Sequence, residues 1–130
     1  MRIYLDSCIL IYLIEGTRAQ VENIRSVMAS LPDNTDLCIS NLVRLECLVK
    51  PYKLRDAALE HRYQQEFPAF TTLYALPIMF DRAALYRAQR ALKTPDALHL
   101  ATAALSGCTE FWSNDSRLNG VASGVHIRAF

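Results

Sequence analysis

The amino-acid sequence predicts an α/β protein with a mostly parallel central sheet of about four to five strands flanked by helices. Two observations predict it. Short segments rich in β-branched and aromatic residues alternate with longer segments whose apolar residues recur at helical spacing. The strand-like segments lie at 2–6, 36–40, 73–77, 110–113 and 125–128. Because a long helical stretch separates most of them, crossover connections and parallel pairing are favoured over hairpins.

The stretches between the strands predict helices with recognisable start and stop signals. We expect helices at about 7–16, 18–31, 40–51, 54–67, 81–92 and 96–106. Ser7 and Ser40 are good N-caps, and Pro51 is expected to stop the third helix. Thr94 as N-cap with Pro95 at the next position is a strong start signal for the last helix.

Length and composition predict one domain over residues 1–130, since 130 residues with 52% hydrophobic composition match one ordinary core. No apolar run approaches the roughly 20 residues of a membrane span, so we expect a cytoplasmic protein without a membrane partner. The four cysteines show no metal-ligand spacing and are expected to be buried free thiols. With a net charge of +1, any contact with nucleic acid must come from a local basic patch.

Four acidic residues fall at or near predicted strand ends and helix starts: Asp6, Glu46, Asp96 and Asp115. In a parallel α/β sheet, strand carboxyl ends and the following helix N-termini share one edge, where ligands collect. Two carboxylates about 5 Å apart repel by roughly 3 kcal/mol at an effective dielectric constant of about 20. Such a cluster requires protons or hard cations, so the sequence predicts a Mg²⁺ or Mn²⁺ site.

Each acid also has a structural interpretation when it is taken alone. Asp6 and Asp96 suit helix caps or partners of the helix dipole, and Asp115 suits an Asx turn. The first-turn position of Asp96 predicts a lowered pKa, because the helix dipole favours an anion there. The joint placement of all four acids on one predicted edge favours the metal site.

Glu46 and His99 are open to more than one interpretation. Glu46 lies on a largely apolar helix, which calls for a metal or a partner, but it can also pair with Arg44 or Lys50 on the surface. His99 follows Asp96 by about one helical turn. A single histidine on a helix is more often a surface residue or a satisfied core residue, so we assign it no role as a general base.

The sequence resembles the PIN-domain ribonucleases and, within them, the VapC-like toxins of bacterial and archaeal toxin–antitoxin pairs. The matching stretches are residues 3–7, Glu46, residues 94–103 and residues 111–115. The most specific parts are Pro95-Asp96-Ala97-Leu98 and the Asn114-Asp115 pair after a strand. The resemblance covers nearly the whole chain, although residues 50–80 match only in pattern.

The resemblance implies a three-layer PIN-like fold and an Mg²⁺- or Mn²⁺-dependent endoribonuclease. It implies that Asp6, Glu46, Asp96 and Asp115 are both the catalytic residues and the metal ligands, with Asp6 and Asp96 the best candidates for direct ligands. It further implies hydrolysis of RNA phosphodiester bonds to 5′-phosphate and 3′-hydroxyl ends, in a toxin that inhibits growth or translation. A cognate antitoxin and a homodimer are its implied partners.

Other residues are candidates for supporting roles. The hydroxyl of Ser7 is available for capping or for binding water. Ser113 and Asn114 are placed to hydrogen-bond a carboxylate or a phosphate, although turn formation explains them about as well. Arg90 and Lys93 precede the helix of the site and are candidate RNA contacts, although basic residues on an amphipathic helix usually face solvent.

An antitoxin of this family often presents an arginine to the carboxylates from a segment docked beside them. Apolar side chains on the third and fourth helices are candidates for part of that groove, with ordinary core packing as the alternative. These side chains are Leu48, Tyr52, Leu54, Tyr63 and Phe67.

Four other functions compete with a toxin nuclease. A phosphatase of the haloacid type requires a second aspartate two positions after Asp6, where this chain has Cys8. A phospho-receiver domain requires an acidic pair at the first strand and a lysine at the end of the last, and both are missing. A non-catalytic PIN-fold binding module and a stand-alone RNA-processing nuclease without an antitoxin remain open.

Overall fold

The computed structural model describes residues 1–130 and contains a five-stranded parallel sheet in the order β3-β2-β1-β4-β5. The strands are β1 Arg2–Leu5, β2 Asp36–Ser40, β3 Thr71–Leu73, β4 Glu110–Ser113 and β5 His126–Ala129. Every pairing between neighbouring strands is parallel. The predicted fold class, with its mostly parallel sheet of four to five strands, is confirmed.

Six α-helices connect the strands. They are α1 Ser7–Glu15, α2 Arg18–Ala29, α3 Asn41–Leu54, α4 Ala57–Glu66, α5 Pro77–Gln89 and α6 Thr94–Leu105. Single turns of 3₁₀ helix follow α4 at Phe67–Ala69 and β4 at Ser116–Leu118. None of the helices has the length and apolarity that crossing a membrane would require.

The core is centred on β1, the middle strand. Ile3, Tyr4 and Leu5 are completely buried, and so are Phe111 and Trp112 on the neighbouring β4. Because successive side chains of a strand point to opposite faces, this pattern shows that both faces of the sheet are covered. The result is the three-layer arrangement of a PIN-like fold.

The strand order places a topological switch point beside β1. The chain runs from β1 outward through β2 to β3, then returns to form β4 on the other side of β1. At the carboxyl edge, the backbone N–H of Asp6 donates to the carbonyl of Trp112 at 3.0 Å, which ties the two strand ends together. Ligands of open parallel sheets bind in the crevice at such a point.

Two predicted elements of the middle region are wrong in their bounds. Helix α3 does not stop at Pro51 but continues to Leu54, because proline removes only one backbone donor and its ring is buried here. The segment 73–77 is not a strand beyond Leu73. Helix α5 begins at Pro77 rather than at Asp81, since proline is well suited to a first helical position.

Two predicted N-caps are displaced by one residue. Asp6, rather than Ser7, caps α1, because the carboxylate of Asp6 accepts a hydrogen bond from the N–H of Ser7. Lys93, rather than Thr94, occupies the cap position of α6, so Thr94 lies inside the helix and Asp96 remains in its first turn. Both changes leave the acids at the predicted edge.

Candidate metal centre

The four acidic residues that the sequence predicts as the site are brought to the carboxyl edge of the sheet. Asp6 follows β1 directly, and Asp115 follows β4 after one residue. Asp96 lies in the first turn of α6, and Glu46 lies on α3, the helix that follows β2. All four side chains belong to half-buried residues.

Asp6 is held by hydrogen bonds to two elements. Its Oδ1 accepts from the N–H of Ser7 at 2.8 Å, and its Oδ2 accepts from Oγ of Ser113 at 2.9 Å. Ser113 is completely buried and also accepts from the N–H of Asp115 at 3.1 Å. The Asp6 carboxylate is therefore fixed between α1 and β4, and both of its oxygens keep lone pairs for a cation.

Glu46 receives hydrogen bonds from α1 and α6. Its Oε1 accepts from Oγ of Ser7 at 2.7 Å and contacts Nε2 of His99. Burial alone would raise the pKa of Glu46, but the hydrogen bond and charge of His99 and the hydrogen bond from Ser7 outweigh it. They hold the pKa of Glu46 below its ordinary value.

The expected alternative, in which Glu46 pairs with a surface cation, is wrong. Arg44 Nη2 donates to Oε1 of Gln64 at 2.6 Å, and Lys50 Nζ donates to Oε1 of Glu15 at 2.5 Å. Both cations are therefore engaged elsewhere, and Glu46 is directed toward the other acids by its donors on α1 and α6.

His99 is part of the site, although the sequence analysis assigned it no role. Its side chain is 1% exposed, and Nε2 lies 3.6 Å from Oδ1 of Asp6 as well as in contact with Glu46. Nδ1 lies 2.6 Å from the phenolic oxygen of Tyr4. The available signal was the spacing of three residues from Asp96, which places both side chains on one face of the helix.

Asp115 is paired with Arg117. The guanidinium Nε donates to Oδ1 and Oδ2 at 2.9 and 3.1 Å, and Nη2 donates to Oδ2 at 2.7 Å. The N–H of Arg117 also donates to Oδ1 at 3.0 Å, which is the expected Asx turn. The side-chain hydrogen bond from Arg117 is the main cause of the lowered pKa of Asp115.

Asp96 has no hydrogen-bond donor at its carboxylate. Burial raises its pKa, the charges of Asp6 and Asp115 raise it further, and these effects outweigh the opposing charges of His99 and Arg117. The predicted lowering of the Asp96 pKa is therefore wrong. The residue does occupy the first turn of α6, but desolvation and like charges dominate over the helix dipole.

The arrangement fits a divalent cation. Asp6, Glu46 and His99 each offer a ligand atom, and these atoms lie within 4.8 Å of one another. Asp96 and Asp115 are close enough for their charges to act on one another. Of the four carboxylates only Asp115 is paired with an arginine, so a cation would compensate charge that the protein leaves unbalanced, and carboxylate oxygens suit Mg²⁺ or Mn²⁺.

The predicted supporting residues divide into two groups. Ser7 and Ser113 lie in contact with the acids, as described above. Asn114 does not, because its Nδ2 donates to the phenolic oxygen of Tyr12 at 2.9 Å and the residue is exposed. Side chains alternate at the end of β4, so Ser113 points to Asp6 and Asn114 points away.

The candidate RNA contacts are exposed, whereas the residues of the predicted groove are partly buried and partly exposed. Arg90 ends α5 and Lys93 precedes α6, and both are exposed. Lys93 lies near the acids, because its charge contributes to the lowered pKa of Asp115. Within the predicted groove, three residues belong to the core, and two residues of α3 are exposed. The buried residues are Leu48, Tyr63 and Phe67, and the exposed residues are Tyr52 and Leu54.

The fold and the acids at its carboxyl edge agree with a comparison against known families. A family model of the PIN domain matches residues 3–124, which is nearly the whole chain. The chain belongs to the PIN domain family. Among curated proteins, none matches the sequence.

Solved structures of toxin–antitoxin proteins share the fold of this chain. VapBC-1 from nontypeable Haemophilus influenzae matches with a TM-score of 0.79 at 15% identity, over 99% of this chain and 98% of that chain. A toxin–antitoxin complex from Klebsiella pneumoniae matches with a TM-score of 0.72 at 26% identity, over 95% and 94%. VapC20 of Mycobacterium tuberculosis, described as a toxin that cleaves the sarcin–ricin loop, matches with a TM-score of 0.69 at 15% identity, over 88% and 90%.

These neighbours confirm the resemblance to VapC-like PIN domains. The matched region begins in β1 and extends through Asp115, so it includes the segments that carry all four acids. The predicted family therefore holds for the whole architecture, including residues 50–80, where the sequence matched only in pattern.

The raised pKa of Asp96 predicts that Asp96→Asn stabilises this PIN domain at neutral pH when divalent cations are absent. The folded state holds the Asp96 proton more tightly than the unfolded chain does, so ionisation destabilises the fold as the pH rises through the folded-state pKa. We expect a gain in stability at about pH 7 that fades toward about pH 3. Thermal unfolding in chelator across this range measures it.

Asp115→Asn is the matched control. The pKa of Asp115 is lowered through its pairing with Arg117, so its ionised form does not destabilise the fold and its removal brings no gain at neutral pH. Equal stabilisation by both substitutions, or destabilisation by Asp96→Asn, would show that Asp96 does not lie among unbalanced charges.

Proposed function

We propose that the protein is a metal-dependent endoribonuclease and the toxin of a type II toxin–antitoxin pair. The observation that supports this most is the convergence of four carboxylates at one edge of the sheet, where Arg117 pairs with Asp115 alone and Asp96 has no donor. A protein that used these acids only as helix caps would have no reason to bring them together. A divalent cation and a phosphate substrate supply a reason.

The proposed roles of the acids follow from what already binds each of them. Asp6 and Asp96 are the direct ligands, because Asp6 is fixed by two donors and Asp96 has none that compete. Glu46 and Asp115 complete the set as further ligands, or as groups that orient the attacking water. When bound, a Mg²⁺ or Mn²⁺ ion supplies neutralisation of the phosphate charge and activation of water.

The protein's own side chains hold this arrangement in place. Ser7 connects Asp6 and Glu46. Its N–H donates to the carboxylate of Asp6 and its hydroxyl donates to the carboxylate of Glu46, so it links the start of α1 to α3. Ser113 connects Asp6 and Asp115, because its hydroxyl donates to the carboxylate of Asp6 and accepts from the backbone N–H of Asp115. Since water attacks the phosphate, the ribose 2′-hydroxyl is not required as a nucleophile.

RNA cleavage should therefore depend on both the cation and the acids. Wild-type protein with Mn²⁺ or Mg²⁺ should cleave a labelled panel of RNAs to products with 5′-phosphate and 3′-hydroxyl ends, and chelator should stop the reaction. Asp96→Asn should lower the rate by on the order of 100-fold or more, because it removes a charged ligand. Asp33→Asn, at an exposed turn before β2, is the control and should cleave like wild type.

Two results would contradict the nuclease. Products with 2′,3′-cyclic phosphate ends would show attack by the ribose hydroxyl rather than by water. Absence of cation-dependent cleavage over the whole panel, with no difference between wild type and Asp96→Asn, would favour a non-catalytic PIN-fold binding module.

We propose that Arg90 and Lys93 contact RNA phosphates beside the acids. Their joint substitution by alanine should weaken binding of an uncleaved RNA to the Asp96→Asn protein. It should also make the dependence of log affinity on log salt concentration shallower, by about 0.7 for each phosphate contact to a single strand. Arg18→Ala, on exposed α2, is the control. Lost affinity with an unchanged salt slope would contradict phosphate contact by these residues.

We propose that a cognate antitoxin binds along α3 and that the toxin forms a homodimer. Leu45, Val49 and Tyr52 lie three or four residues apart on α3 and are 54–59% exposed, which is a typical docking face for an amphipathic segment. Glu46 is adjacent to this face, so an arginine of the bound segment could reach the acids. Exposed Ile78 and Phe80 on α5 offer apolar surface for self-association.

Coexpression with a short reading frame directly upstream of the gene, where one is present, tests these partners. The two chains should copurify, and Val49→Glu should weaken the complex at least about tenfold, because it places a charge in an apolar contact. Tyr74→Glu, at a loop position that is 63% exposed, is the control. The toxin alone should sediment at twice its chain mass of 14.7 kDa.

Two outcomes would contradict the proposed antitoxin or the proposed homodimer. Absence of an antitoxin reading frame beside the gene, or failure of the protein to bind the product of that frame, would favour a stand-alone RNA-processing nuclease. A mass of 14.7 kDa at all tested concentrations would contradict the homodimer.

A further inference from the structure

A continuous row of buried hydrogen bonds lies beneath the acids and ends at one of them. Ser40 Oγ lies 2.7 Å from the phenolic oxygen of Tyr4, and that oxygen lies 2.6 Å from Nδ1 of His99. On the other side of the imidazole, Nε2 contacts Oε1 of Glu46. Ser40, Tyr4 and His99 are each at most 1% exposed. The family match and the four acids do not account for this row.

The direction of each hydrogen bond follows from the groups at the two ends. An ionised carboxylate only accepts, so Nε2 of His99 carries the proton that faces Glu46. In a neutral imidazole Nδ1 then accepts, and the hydroxyl of Tyr4 donates to it. Ser40 Oγ already accepts from the N–H groups of Leu42 and Val43, so its own proton goes to Tyr4. Every donor and acceptor in the row is thereby used.

The row closes a ring through α3. Ser40 is the N-cap of α3, and Glu46 lies about one and a half turns further along the same helix. The ring therefore runs from the start of α3 through β1 and α6 and back to α3. Such a ring restricts the rotation of α3 about its axis as well as the side chain of Glu46, because both ends of the row belong to one rigid element.

We propose that His99 is a positioning residue that holds Glu46 toward Asp6 for the shared cation, with Tyr4 and Ser40 setting the orientation of the imidazole. The inference rests on the proposed function, since it assigns His99 to the same metal site. Asp6 Oδ1 lies 3.6 Å from Nε2, so the imidazole is in position to keep the two carboxylates on one side of the site. His99 acts through Glu46 and is not itself a metal ligand.

Calorimetric titration with Mn²⁺ tests the proposal, with variants chosen to keep the packing. His99→Leu should lower the Mn²⁺ affinity by about 10- to 100-fold, the range typical of groups that orient metal ligands. Tyr4→Phe removes only the hydroxyl and should lower the Mn²⁺ affinity by a factor near the lower limit of that range. His99→Gln should recover most of the affinity, because its amide N–H can replace the Nε2 donor.

Thr102→Val is the matched control for loss of a buried polar group from α6. Thr102 is 1% exposed, and its hydroxyl donates to the carbonyl of Leu98, outside the ring. This variant should bind Mn²⁺ like wild type. Equal losses of Mn²⁺ affinity in Thr102→Val and Tyr4→Phe would show a general effect of buried polar groups on stability. Unchanged Mn²⁺ affinity in His99→Leu would overturn the positioning role.

Two spectroscopic measurements separate the possible roles of His99. Nitrogen-15 NMR of histidine-labelled protein without cations, at a pH at which the imidazole is neutral, should show a protonated Nε2 and an unprotonated Nδ1, and the opposite tautomer would overturn the proposal. Pulsed electron paramagnetic resonance of the Mn²⁺ complex should show no directly coordinated histidine nitrogen. A strong nitrogen coupling that disappears in His99→Gln would overturn it, because His99 would then be a ligand.

The same titration distinguishes failure of the inference from failure of the proposed function. Wild-type protein that binds no Mn²⁺ contradicts the metal-dependent nuclease and the inference together. Wild-type protein that binds Mn²⁺ and cleaves RNA, while His99→Leu and Tyr4→Phe bind equally well, contradicts the inference alone.

Discussion

Four carboxylates meet at the carboxyl edge of the sheet. The surrounding side chains and backbone groups reduce their mutual repulsion by donating hydrogen bonds to most of them. Each acid is compensated differently. Asp6 accepts from a helix N–H and a buried serine, Glu46 from a serine and a histidine, and Asp115 from an arginine. Asp96 has no donor, and burial together with the charges of Asp6 and Asp115 raises its pKa. Unbalanced charge at a topological switch point is what a cation site requires.

The same arrangement opposes stability when no cation is bound. A cation that binds only the folded state at 100 times its dissociation constant adds about 2.7 kcal/mol of stability. In the proposed site, cation binding and folding are thus coupled: Asp96, whose ionised form weakens the empty fold, is a ligand in the occupied one. The buried ring through His99 serves this coupling, because it fixes the direction of a carboxylate before the cation arrives and so lowers the cost of ordering it.

Sequence reasoning found the sheet and the acids because both depend on local pattern. Strand periodicity and an acid directly after a strand can be recognised without knowing what lies opposite. It could not find the burial of His99, since that depends on which face of α6 packs against the sheet. Nor could it find the raised pKa of Asp96, which comes from charges distant in sequence, or the start of α5 at Pro77, where apolar residues suit a strand and a helix equally.

Anomalous X-ray scattering from crystals grown with Mn²⁺ is the most direct measurement of whether these acids form one cation site. The expected result is manganese within about 2.6 Å of carboxylate oxygens of both Asp6 and Asp96, with Glu46 still in contact with His99. Manganese bound elsewhere, or none at a concentration that supports RNA cleavage, would show that the convergence of the four carboxylates does not serve a cation.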